Sequence, residues 1–243
     1  MARRPRLVLA GELHHVRLRG HSGQPVFVDD VDRAAFVDML REPAARLGVA
    51  IHAYALLDDE VHLLVTPDAA DALGRLVQSV GRRYVAAFNR RHQRRGTAWD
   101  GRFRNSLLHA GSLLWPAMVW IETLPVRAGL VARAVDWNWS SAPHHAGRRR
   151  DPLLTDHPLF WLIGNTPFER ELAHTHVLAT AEQDTPDRRF TAAVDSMALV
   201  GPPEFVERIA QALERPVVPG PRGRPRTKKS VPVSVRSTKV DSF

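Results

Sequence analysis

The chain has 243 residues, no cysteine and a formal net charge of +8, from 34 Lys and Arg against 26 Asp and Glu. The lack of cysteine excludes a disulfide framework, thiolate-bound zinc and thiol redox chemistry, and it suits a reducing cytoplasm. The basic excess favours a polyanionic partner, nucleic acid first.

That excess is almost wholly arginine, since the lysines are Lys228, Lys229 and Lys239. No apolar segment approaches the roughly 20 residues of a membrane helix, and no apolar signal core follows Met1 to Arg6. The expected location is therefore the cytoplasm, with no membrane partner. In chain order, Leu13 to Gly20 alternates apolar and polar residues, as in a first strand with His15, Arg17 and Arg19 on one face. From Asp30 or Asp32 as N-cap, Ala35, Phe36, Met39, Leu40 and Leu47 fall near helical spacing, and Gly48 closes that helix. Val49 to Leu57 and Glu60 to Thr66 then form a hairpin across Asp58-Asp59. In its returning strand Glu60 and His62, two apart, share a face, while Val61, Leu63 and Val65 take the other. A carboxylate beside an imidazole is a candidate site for Mg²⁺ or Mn²⁺; the same pair also reads as a solvated turn next to a hydrogen-bonded histidine.

After Pro67, Asp68 or Asp71 caps a long helix with the apolar stripe Leu73, Leu76, Val77, Val80, Tyr84 and Phe88. Its opposite face and C-terminal end carry Arg75, Arg82, Arg83, Arg90, Arg91, Arg94 and Arg95, suited to phosphate contacts or to a solvated basic face. In the loop that follows, Trp99 and Phe103 either stack on unpaired bases or plug the core edge, next to Arg102 and Arg104. Arg104 to His109 is a fourth strand, and Ser112 to Leu124 a helix with Pro116 in its first turn and Pro125 at its end. The order strand, helix, strand, strand, helix, strand predicts an α+β fold: a ferredoxin-like antiparallel sheet with helices packed on one face.

The series Leu13-His14-His15-Val16-Arg17, His52-Ala53-Tyr54, Glu60-Val61-His62-Leu63-Leu64-Val65, Trp99-Asp100-Gly101-Arg102, Ile121-Glu122-Thr123-Leu124-Pro125-Val126-Arg127 and Trp139-Ser140-Ser141 resembles the landmarks of the HUH-type single-tyrosine transposases, the REP-associated group in particular. The resemblance runs from about Arg4 to Gly147. It implies a DNA-binding transposase-like domain over residues 1–147, followed by a helical appendage over 148–215. It further implies a divalent metal, cleavage of single-stranded DNA beside a hairpin by a tyrosine hydroxyl, a covalent phosphotyrosine intermediate and, by analogy, a homodimer. Arg17, Arg19, Arg82, Arg83, Arg90, Arg91, Arg102, Arg104 and Arg127 are the expected DNA contacts.

Two positions depart from that pattern. The motif's first histidine is Glu60, leaving Glu60 and His62 as the metal candidates, and the nucleophilic tyrosine is Trp120. An indole has no ionisable oxygen and forms no phosphoester, so cleavage through Trp120 is excluded. Residues 216–243 form a basic tail too poor in apolar material to offset ordering entropy. Within it Pro221-Arg222-Gly223-Arg224-Pro225-Arg226 resembles an AT-hook core, whose Arg222, Arg224 and Arg226 would enter a narrow minor groove. The expectation is a DNA-binding protein, catalytically degenerate, with an active metal-dependent transposase or nuclease using Glu60 and His62 as the alternative.

Overall fold

The computed structural model describes residues 7–185 and 187–213. The AT-hook-like segment, with Arg222, Arg224 and Arg226, lies outside them. The elements are β1 (Leu13–Arg19), α1 (Asp30–Arg46), β2 (Val49–Leu56), β3 (Glu60–Pro67), α2 (Ala72–Arg91), β4 (Arg104–Leu108), α3 (Ala110–Glu122), α4 (Leu124–Arg127), α5 (Ala142–His145), α6 (Pro167–Ala181), α7 (Arg188–Ser196), β5 (Leu199–Val200) and α8 (Pro203–Ala212). The sheet order is β2-β3-β1-β4-β5. The first four strands pair antiparallel, and β5 joins β4 in parallel.

Local chemistry sets the boundaries. The Asp29 carboxylate accepts from the Val31 and Asp32 amides at 3.0 and 3.2 Å, capping α1 one residue before the expected site. Gly48, at φ 63°, closes the same helix in the left-handed conformation. α3 starts two residues earlier than expected, so Pro116 sits in its interior.

The α+β class and the antiparallel ferredoxin-like core stand as expected, but the helices are divided between the two faces. Phe36 and Leu40 of α1 and Leu73, Leu76, Val80, Tyr84 and Phe88 of α2 pack on Val16, Leu18, Ile51, Tyr54, Leu63 and Val65. On the opposite face Leu114, Ala117, Met118, Trp120 and Ile121 of α3 cover Leu13, Ala53, Ala55, Leu64 and Leu108. The reason lies in the central strand: β1 is buried on both sides, so both faces need a covering layer. Phe160 and Phe190, from beyond residue 148, join this second core, while Phe205 and Ile209 of α8 pack on Leu107. Trp99 and Phe103 are 9% and 8% exposed in the first core, which makes them edge plugs rather than open stacking surfaces. Among the described residues no helix is long and apolar enough to cross a membrane.

Candidate functional site

The register places the polar residues. β1 against β3 sets Arg17 opposite His62 and Arg19 opposite Glu60; β1 against β4 sets Arg17 opposite Arg104. Directly opposed residues project to the same face. His15, Arg17, Arg19, Glu60, His62 and Arg104 therefore form one polar patch on the face that α3 covers.

His62 is its centre. Its Nδ1 lies 2.9 Å from His15 Nε2, and its Nε2 lies 3.0 Å from Glu60 Oε2. With Glu60 ionised, one proton arrangement satisfies both contacts: His15 Nε2–H donates to His62 Nδ1, and His62 Nε2–H donates to Glu60. His15 Nδ1 is then a buried nitrogen with no hydrogen-bond partner. Burial pushes His15 well below the usual imidazole value, aided by His62 and Arg17. Burial lowers His62 as well, against the pull of Glu60. For Glu60 burial works upward, but His62, Arg17 and Arg19 outweigh it and hold the carboxyl below its ordinary value. Arg19 Nε stands 3.3 Å from Glu60 Oε1. At neutral pH the row is two neutral imidazoles ending in a carboxylate.

Trp120 closes this row from above, edge-on, with ring centroids 5.3 Å from His15 and 5.6 Å from His62. It is 5% exposed, lies 5.6 Å from Phe190 and has the Arg127 guanidinium 6.0 Å from its ring. Trp120 is thus a packing element. The hydroxyls of Thr123, Tyr54 and Tyr84 are engaged elsewhere, whereas Ser106 Oγ, opposite His15 on β4, is buried without a hydrogen-bond partner. Thr123 Oγ1 donates to the Val119 carbonyl at 2.9 Å and is fully buried. Tyr54 donates to Asp151 at 2.7 Å and Tyr84 donates to the Val26 carbonyl, both within the first core, where burial raises both phenols.

As a metal set Glu60 and His62 do not fit. They supply two donors, both ring nitrogens of His62 are engaged, and the guanidiniums of Arg17 and Arg19 stand directly across β1 from them. Among the described residues, His, Asp and Glu donor atoms come together in threes within 4.8 Å at Glu122–His145–His174 and at His144–His145–Asp156. The first of these sets could hold a metal. Glu122, the last residue of α3, is fully buried, with His145 Nδ1 at 2.6 Å, Ser141 Oγ at 2.5 Å and His174 Nε2 at 2.5 Å from its carboxylate. Trp115 Nε1–H donates to His174 Nδ1 at 3.0 Å, which leaves the proton of a neutral His174 on Nε2, aimed at Glu122. Three donors thereby satisfy the carboxylate without an ion. Burial alone would raise Glu122, but His174 and His145 hold it well below the ordinary carboxylate range. Sequence reading missed this cluster, because His145 and His174 lie 23 and 52 residues from Glu122 and carry no shared motif.

The chain superimposes on a REP-associated tyrosine transposase bound to a REP hairpin with a TM-score of 0.53, covering 65% of this chain and 96% of that one at 15% identity. The fold is that of a REP-associated tyrosine transposase. A candidate transposase from Deinococcus radiodurans R1 (TM-score 0.34, 24% identity, 43% of this chain and 84% of that one) is similar too, as is a bacterial tRNA-His guanylyltransferase-like protein in complex with GTP (0.35, 16%, 50% and 63%). No family model and no curated protein matches.

On this transposase fold the expected DNA-contacting arginines separate. Arg19, Arg82 and Arg102 line one cavity of about 450 Å³, floored by Leu18, Val77 and Phe103. Arg17, Arg19, Arg102 and Arg104 surround a smaller one of about 90 Å³ with Asp100 and Asp195, so the two cavities share Arg19, Asp100 and Arg102 and form a continuous, predominantly basic strip. Arg90 is exposed on α2, and Arg83 lies 3.9 Å from Glu42. Arg91 is taken by Asp29 and Asp32, each at 2.6 Å, and Arg127 is half-buried beneath Trp120. Each of these two therefore has an internal partner.

Proposed function

We propose that this protein binds single-stranded or hairpin DNA in a transposition context and has lost covalent strand cleavage. The observation that carries this reading is Trp120. It is buried edge-on against the His15–His62 pair, on the face where β1 and β4 turn arginines outward. The basic strip from Arg82 through Arg19 and Arg102 to Arg17 and Arg104 offers guanidiniums suited to phosphate oxygens. The Glu60–His62 pair orients the patch through hydrogen bonds and charge rather than through a bound ion. A metal-dependent enzyme using that pair finds no set of three ligands that includes it among the described residues, and the hydroxyls of Thr123, Tyr54 and Tyr84 are committed to other partners.

The test is fluorescence anisotropy with a labelled single-stranded hairpin over a salt series, paired with a denaturing gel after incubation with Mn²⁺. Binding should weaken steeply with salt, as counterion release requires, and no denaturant-resistant adduct or cleaved strand should form. Absence of binding at low salt would reject the DNA reading. An adduct in the unmodified protein would reject the loss of cleavage.

A further inference from the structure

α7 matches none of the motifs that organise the first half of the chain, yet it lies over the polar patch. Phe190 packs tilted on Trp120, and at the other end of the same helix Asp195 reaches the arginines. The Asp195 carboxylate is bonded by Arg17 Nη2 and lies 3.6 Å from Arg104 Nη1, while the Asp195 backbone carbonyl accepts from Arg104 Nη1 at 2.6 Å. Arg17, Arg19, Arg102, Arg104, Asp100 and Asp195 enclose the cavity of about 90 Å³, room for one small anionic group.

The register explains why an anion is needed there. Arg17 and Arg104 are directly opposed on adjacent strands, an arrangement that is unfavourable for like charges unless a counter-charge sits between them. Asp195 supplies that counter-charge from a segment remote in sequence. Its side chain is 45% exposed and that of Arg17 10%, so the cation is held firmly while its partner stands at the solvent edge. An ion pair open to water on one side contributes little to stability and is readily exchanged for a better anion. A phosphodiester is such an anion, since its oxygens accept paired N–H donors from a guanidinium.

We propose that Arg17 and Arg104, with Arg19 and Arg102 at the rim, form a binding site for one backbone phosphate of single-stranded DNA, and that Asp195 is its built-in competitor, displaced when DNA binds. The site rests on the DNA-binding reading above and adds to it a specific phosphate position and an intramolecular brake. α7 then acts as a cover: Phe190 shields Trp120 and the histidine pair, and Asp195 closes the phosphate site.

Full-length protein, Asp195→Asn, Arg104→Gln and the double variant Asp195→Asn/Arg104→Gln are compared by anisotropy with a labelled single-stranded oligonucleotide. Asp38→Asn on α1 serves as a control for the change in net charge. Asp195→Asn should tighten binding roughly fivefold, the scale of one exposed ion pair, and Asp38→Asn should change it by less than about twofold. In the double variant the gain should vanish. Equal gains in Asp195→Asn and Asp38→Asn, or a gain that survives loss of Arg104, would overturn the proposal. If no variant binds DNA, the functional reading fails, and inorganic pyrophosphate then tests the anion site alone by thermal shift. Pyrophosphate should raise the melting temperature of Asp195→Asn more than that of wild type and leave Arg104→Gln unmoved; equal shifts in all three would overturn the site.

Discussion

Two clusters in this protein share a composition of two imidazoles and one carboxylate, and they behave oppositely. In the first, His15, His62 and Glu60 stand in a row, each bonded to the next, and the row ends at a carboxylate that is 18% exposed beside Arg19. In the second, His145 and His174 converge on Glu122, whose side chain is fully buried, and Ser141 adds a third donor. A linear row open at its acidic end leaves charge at the surface, where a ligand can meet it. A convergent, sealed set leaves no charge for a ligand and instead ties α3 to α5 and α6. Topology rather than residue type separates the partly open row from the sealed structural pin.

The largest expected effect breaks the sealed cluster. Glu122→Ala should lower stability by about 3–5 kcal/mol in urea denaturation, because three buried donors lose their acceptor at once. Glu60→Ala should cost less, about 1–2 kcal/mol, since its 18% exposed carboxylate is the acceptor of one buried donor, His62, rather than of three. Similar losses in both would show that the two clusters contribute alike to stability. Added Zn²⁺ should leave the wild-type melting temperature unchanged, because Trp115 fixes the His174 proton toward Glu122; a rise of several degrees would make that cluster a metal centre.

An intermediate effect comes from pH. Burial lowers His14 and His52 from 6.5 to about 4. A folded-state value below the unfolded one means that the unfolded chain binds more protons between them. Stability is therefore complete above 6.5 and is lost as pH falls through about 4, by on the order of 3 kcal/mol for each group. Glu122 is lowered from 4.5, so its contribution is present above that value and fades only at more acid pH. Denaturant midpoints measured from pH 7 downward should fall first through the histidines. Glu122→Gln should flatten only the more acid limb; a uniform change across the range would show that Glu122 is energetically coupled to His14 and His52.

The smallest expected effect is at Trp120. Trp120→Tyr should cost about 1–2 kcal/mol of packing against His15, His62 and Phe190. It should form no covalent DNA adduct on a denaturing gel, since Glu60 is still in place and the residues around it supply no metal site. The paired change Glu60→His with Trp120→Tyr sharpens the point, because it returns an imidazole and a phenol to the open cluster while leaving the sealed one intact. An adduct in the paired variant alone would show that two side chains separate this scaffold from cleavage.

Much of the first half of the molecule was legible in the sequence. Alternation and helical spacing located β1, β2, β3, α1 and α2 to within a few residues, because a strand repeats every two residues and a helix every 3.6, and each exposes that period in its apolar residues. The same alternation put Glu60 and His62 on one face, as they are. Chemistry alone excluded Trp120 as a nucleophile, whatever the fold. The two-residue strand β5 has too little length for any periodic signal, and the placement of α3 on the second face follows from burial of β1 on both sides, which single-strand alternation does not reveal.

What tertiary structure alone decided is the set of partners. His15 joins His62 across 47 residues, Glu122 gathers His145 and His174, and Asp195 meets Arg17 across 178. These contacts arise where separate elements pack, and no local spacing encodes them. The sequence by itself determined which residues could bear charge, accept a proton or attack phosphorus. Folding determined which of those groups are neutral, which are paired and which stand open to solvent, because burial and proximity, not residue identity, set the cost of a charge.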